Sequence, residues 1–126
     1  HVVDRITGLL NRHGRAVRGT KVLLLGLAYK AATSDWRESP SLAVADRLAA
    51  LGADLQACDA HIPTALQTGL GLELVDFSPE SLAAADLVVL LVDHPEFLPE
   101  AICKHAPLVF DAKGVLRGRT FEGEIL

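Results

Sequence analysis

The sequence predicts an α/β fold, a three-layer domain with a mainly parallel sheet, preceded by an N-terminal helix. Three observations predict it. The runs Lys21-Val-Leu-Leu-Leu25, Leu87-Val-Val-Leu-Leu-Val92 and Leu108-Val-Phe110 are apolar without alternation, as in strands buried on both faces. Between them lie segments with apolar residues at helical spacing, and glycine or proline punctuates the junctions. With 126 residues, 50% of them hydrophobic, the chain can bury one core without metals or disulfides.

Val2, Val3, Ile6, Leu9 and Leu10 repeat at helical spacing with no capping residue ahead of them, which reads as a helix continuing from upstream. Its apolar face has no evident partner in a minimal α/β unit, so pairing between copies is expected there. Asn11 to Thr20, with Gly14 and Gly19, is a connection, and Lys21 to Gly26 is the first strand. A loop over 27–38 leads to Ser39-Pro40, where serine caps and proline opens a helix. Val44, Leu48 and Leu51 line one face of that helix beside Ala45 and Ala49, and Gly52 closes it. Strands follow at Asp54 to Cys58 and at Leu72 to Val75, with a short helix from Pro79. The Leu87 to Val92 strand, a helix over Leu98 to His105 and the Leu108 to Phe110 strand complete the β-α-β alternation.

The pattern is Rossmann-like, and in such sheets ligands lie beyond the carboxyl ends of the strands. That places the candidate positions at Leu27 to Arg37, Asp59 to His61, Asp93-His94 and Asp111 to Gly114. A net charge of −4 and a pI near 5.7 argue against a nucleic-acid partner or an anionic membrane surface. The apolar runs are far shorter than the roughly 20 residues needed to span a bilayer. Cys58 and Cys103 lie beside apolar stretches, and with no leader in view the expected compartment is the cytoplasm.

The loop Gly26-Leu-Ala-Tyr-Lys-Ala-Ala-Thr-Ser-Asp-Trp-Arg-Glu-Ser-Pro40 holds only one glycine, so it is neither a dinucleotide fingerprint nor a Walker loop. It carries two cations, Lys30 and Arg37, ahead of a helix N-terminus. A point charge, a planar fork and oriented N–H donors together suit a diphosphate or a sugar carboxylate. The alternative is that Arg37 pairs with Asp35 or Glu38 to pin the loop while Lys30 is solvated. Trp36 packs the loop or stacks on a base.

Four blocks carry a resemblance: Val22-Leu-Leu-Leu-Gly-Leu-Ala-Tyr-Lys30 with Thr33, Asp35 and Arg37-Glu-Ser-Pro40; Leu51-Gly-Ala-Asp-Leu55 with Asp59 to Pro63; Leu90-Leu-Val-Asp-His94 with Phe97; and His105-Ala-Pro-Leu-Val-Phe-Asp111 with Gly114-Val115. Over nearly its whole length the chain resembles the C-terminal UDP-sugar-binding domain of the UDP-glucose/GDP-mannose dehydrogenase family. The Asp93-His94 pair and the His105 to Asp111 segment are most similar to members that oxidise N-acetylated UDP-hexosamines. The resemblance implies a parent enzyme, a homo-oligomer, that oxidises the sugar C6 alcohol to a carboxylate with NAD. It also implies that the catalytic cysteine and the main NAD-binding domain lie outside this chain, which alone is then inactive and holds no catalytic residue.

Carried over by position, Lys30 matches a lysine that contacts the UDP-sugar, Tyr29 its aromatic neighbour, Arg37 the arginine of the R-E-S/T-P block, and Lys113 a basic residue facing the nucleotide. Ser34 departs from the family's usual aspartate, and Ala31-Ala32 from its proline and asparagine. Residues 1–18 correspond to the end of a linker helix and its connection, and 19–126 to the nucleotide-sugar-binding domain.

Other residues read more plainly. Cys58 and Cys103 lack an activating base in the sequence and pack as small hydrophobes. The spacing of Cys103, His105 and His94 matches no zinc pattern, so no metal is expected. Asp59 stands where a ribose-binding carboxylate would, without the accompanying glycines, and serves either the ribose or the fold. Two rival functions stay open: a stand-alone NAD-binding regulatory domain, and an interaction module that uses the N-terminal helix.

Overall fold

The computed structural model describes residues 1–27, 40–60 and 72–126. Its elements run α1 (Val2–Arg12), β1 (Lys21–Leu25), α2 (Pro40–Ala50), β2 (Asp54–Cys58), β3 (Glu73–Leu74), α3 (Pro79–Ala84), β4 (Leu87–Leu90), α4 (Pro99–His105), β5 (Val109–Asp111) and β6 (Gly123–Ile125). The strands form one sheet in the order β3-β2-β1-β4-β5-β6. Every neighbouring pair is parallel. This is the doubly wound order of dinucleotide-binding folds, with its direction reversing between β1 and β4.

The apolar strands are explained by two cores. Val22, Leu24, Leu87 and Val89 point into one, with α1 and α2 above them. Leu23, Leu25, Val88 and Leu90 point into the other, with Leu82 of α3 and Ile102 of α4. Because both faces are buried, no polar residue interrupts β4, and all four of its residues are fully covered.

The opening helix corrects one expectation. The crossovers reaching β4 and β5 carry α3 and α4 on the same face, which leaves β4 and β5 bare on the opposite one. α1 covers that bare area: Val3, Ile6, Leu9 and Leu10 are buried in a cluster with Val89 and Phe110. The apolar face of α1 therefore has its partner within the chain. Arg5 adds a hydrogen bond of 2.8 Å from Nε to Glu124 on β6, and Arg12 pairs with the same carboxylate.

Two details differ from the sequence expectation. In α2 the buried residues are Ser41, Ala45 and Leu48, whereas Leu51 is 45% exposed. The helix ends at Ala50, and the left-handed turn at Gly52 (φ 95°) carries Leu51 outward. β6, unforeseen from the sequence, pairs with β5 as a parallel edge strand.

Candidate functional site

The reversal between β1 and β4 is built on one close approach. Leu25 ends β1, and its carbonyl accepts from the N–H groups of Leu91 and Val92, at 3.0 and 3.2 Å. The chain then leaves the sheet at Gly26 with φ 95°. A Cβ there would lie 2.5 Å from the Val92 Cβ, so only glycine lets β1 turn out beside β4 at this point. This exit lies at the carboxyl ends of the strands, where open α/β sheets bind ligands.

Of the four substrate-binding candidates, Tyr29, Lys30 and Arg37 lie outside the described residues. Lys113 is exposed just past the end of β5. Its position is set by Asp111, which is wholly buried. Oδ1 of Asp111 accepts from the N–H groups of Lys113 at 2.9 Å and Gly114 at 2.8 Å, and Oδ2 accepts from Leu116 at 2.7 Å. Three donors neutralise the carboxylate and wrap 112–116 into a fixed turn. Arg117 and Arg119 follow, both exposed. The first has its guanidinium close against Gly114, which has φ 77°. The β5 end of the site edge is therefore basic.

The opposite end is acidic. A cavity of about 230 Å³ opens beyond β2 and β3, lined among others by Asp59, Asp76, Phe77, Glu96 and Phe97. Asp59 is buried, and its Oδ2 accepts from the Leu27 N–H at 2.7 Å. A bound dinucleotide would need a glycine cradle after β1 and a carboxylate for ribose at this end. The single glycine of that loop is placed against Val92, and Asp59 holds the loop exit. The described residues show no glycine-rich cradle for a dinucleotide.

The remaining candidates are structural. Burial, with the Asp76 charge second, pushes the Cys58 thiol up to about 12, so it carries no thiolate near neutrality. Burial also raises Cys103. His94 is buried, with its ring centroid 5.5 Å from that of Phe97. Among the described residues, no three His, Cys, Asp or Glu side chains gather as a metal site. None of their helices is long and apolar enough to cross a membrane. Arg117 was not foreseen from the sequence, and Asp111, one of the candidate strand-end positions, had no role assigned to it there. The signal was an aspartate at a strand end with glycine three positions on, a pattern that favours a side-chain-capped turn.

Residues 23–118 match the family model described as "UDP-glucose/GDP-mannose dehydrogenase family, UDP binding domain". The UDP-glucose 6-dehydrogenase YwqF of Bacillus subtilis is 34% identical over 113 residues, which are 82% of this chain and 25% of the relative. The UDP-N-acetyl-D-mannosamine dehydrogenase of Escherichia coli K12 is 34% identical over 99 residues, 77% of this chain and 24% of the relative. The chain thus spans about a quarter of the length of these curated relatives. A solved GDP-mannose dehydrogenase of Pseudomonas aeruginosa matches with a TM-score of 0.67 and 26% identity, over 98% of this chain and 30% of that one.

Proposed function

Since this chain belongs to the UDP-glucose/GDP-mannose dehydrogenase family as its UDP binding domain, we propose that it binds the UDP-sugar substrate of a larger NAD-dependent 6-dehydrogenase. The parent enzyme oxidises the sugar C6 alcohol to a carboxylate, and NAD is held mainly by another domain. Lys30 and Arg37 grip the nucleotide sugar from the loop after β1, Tyr29 packs beside them, and Lys113 approaches from the turn after β5. In this reading residues 1–18 end a linker helix and its connection, and 19–126 form the nucleotide-sugar-binding domain. The parent protein is a cytoplasmic homo-oligomer.

One observation carries the reading: the ligand-facing edge of the sheet is electrically divided. Lys113 and Arg117 stand at the β5 end, while Asp59, Asp76 and Glu96 surround the cavity at the β2 and β3 end. A diphosphate is stabilised at the first and repelled at the second. A UDP-sugar with its phosphates near the switch point and β5 suits this field.

Backbone amide spectra of the chain, titrated with UDP and separately with NAD, test the assignment. UDP is expected to shift Leu27, Lys113 and Gly114. Shifts caused by NAD alone and centred on Asp59 to Phe77 would overturn it in favour of a dinucleotide-binding domain.

A further inference from the structure

We propose that Asp111 is a positioning residue for nucleotide recognition, acting through the turn that presents Lys113. This rests on the UDP-binding reading above. Asp111 is a carboxylate with no exposed surface at the end of an internal apolar strand. Burying a charge there costs free energy unless donors surround it. The donors are three backbone N–H groups of one turn, those of Lys113, Gly114 and Leu116, all within 2.9 Å. None comes from a distant element, so these three bonds act on the local path of the chain.

The backbone on either side is fixed independently. Asp111 pairs in register with Leu90 and with Ile125, and its carbonyl accepts from the Leu126 N–H at 2.9 Å. Leu116 is fully buried in the second core. The turn is therefore clamped at both ends, and the carboxylate determines how the exposed residues between them are held. Lys113 is flexible by chemistry, with four rotatable methylenes, so its aim depends on a rigid backbone.

Substitution by asparagine separates charge from shape. Asp111→Asn keeps one oxygen for two of the donors but turns an NH2 group toward the third, leaving one N–H unmatched. The test titrates UDP into the wild-type chain, Asp111→Asn, Lys113→Ala and the double variant, and follows amide hydrogen exchange at 113, 114 and 116. Asp111→Asn is expected to bind UDP roughly tenfold more weakly, as a misplaced contact does, with faster exchange confined to the turn. The double variant is expected to be no weaker than Lys113→Ala, because the aspartate acts through the lysine.

Unchanged UDP affinity in Asp111→Asn would overturn the proposal, as would losses that multiply in the double variant. Failure of the wild-type chain to bind UDP would instead remove the UDP-binding reading and this proposal with it. Should Asp111→Asn not fold, Gly114→Ala strains the same turn at its positive φ and leaves the Asp111 carboxylate in place, with Arg117→Ala as the control for the guanidinium that the new methyl meets. A Lys113-dependent loss of affinity is then expected, and unaltered binding would overturn the proposal.

Discussion

The Asp59 carboxylate accepts a hydrogen bond of 2.7 Å from the Leu27 N–H, tying the end of β2 to the first residues after β1. It fixes the backbone at Leu27, just past the exit from β1. Removing the carboxylate strands a donor at Leu27, which is itself fully buried. Asp59→Ala is expected to lower the unfolding free energy by about 1–3 kcal/mol. Urea denaturation checks this, and a loss within about 0.5 kcal/mol would show that the bond has no structural weight.

Gly26 faces a second constraint at the same place. A methyl group there meets Val92 at 2.5 Å in a backbone region that disfavours side chains. Gly26→Ala should destabilise by roughly 2–4 kcal/mol, combining backbone strain with overpacking. Adding Val92→Ala relieves the clash only, so partial recovery in the denaturation midpoint is the expected result. Full recovery would mean that φ at Gly26 is unstrained.

For α1 the prediction concerns packing. Ile6 has no exposed surface, and Ile6→Ala is expected to cost about 2–5 kcal/mol. The wild-type chain should sediment without association through α1. Concentration-dependent dimerisation abolished by polar substitutions along Val3, Ile6 and Leu10 in a still-folded chain would contradict the buried face.

Cys58 sets a pH dependence. Its thiol rises from 9.0 to about 12 on folding. The native state then holds the proton more tightly than the unfolded chain, so this contribution is full below pH 9 and is lost progressively toward pH 12. Cys58→Val should flatten the fall in stability across that window. At pH 8, thiol-reactive probes are expected to label partly exposed Cys103 well before Cys58. Equal labelling rates would contradict the burial.

Much of this fold was legible because its strands are covered on both faces. Val22 to Leu25, Leu87 to Leu90 and Val109-Phe110 have to be apolar continuously, and that is what a sequence displays. β6 was hidden for the opposite reason. Gly123-Glu-Ile125 is an edge strand with no apolar run, held through Glu124 by Arg5 and Arg12, more than a hundred residues away in sequence. The partner of α1 was hidden likewise, since only the common side of the α3 and α4 crossovers reveals which sheet face stays bare. At the site, Lys30 and Arg37 were legible as two cations ahead of a helix N-terminus, whereas Tyr29 and Lys113 came from motif resemblance. Asp111 stood among the candidate strand-end positions, but its role was hidden because its work is done on backbone N–H groups, which leave no side-chain partner to read.

The central claim is that the chain recognises a uridine diphosphate sugar rather than a dinucleotide. A calorimetric titration with UDP, a UDP-N-acetylhexosamine and NAD, repeated on Lys30→Ala, tests it most directly. Heat from the two uridine ligands alone, with affinity reduced roughly tenfold or more by the loss of one charge-assisted contact, is the predicted result. Preferential binding of NAD, indifferent to Lys30, would contradict it.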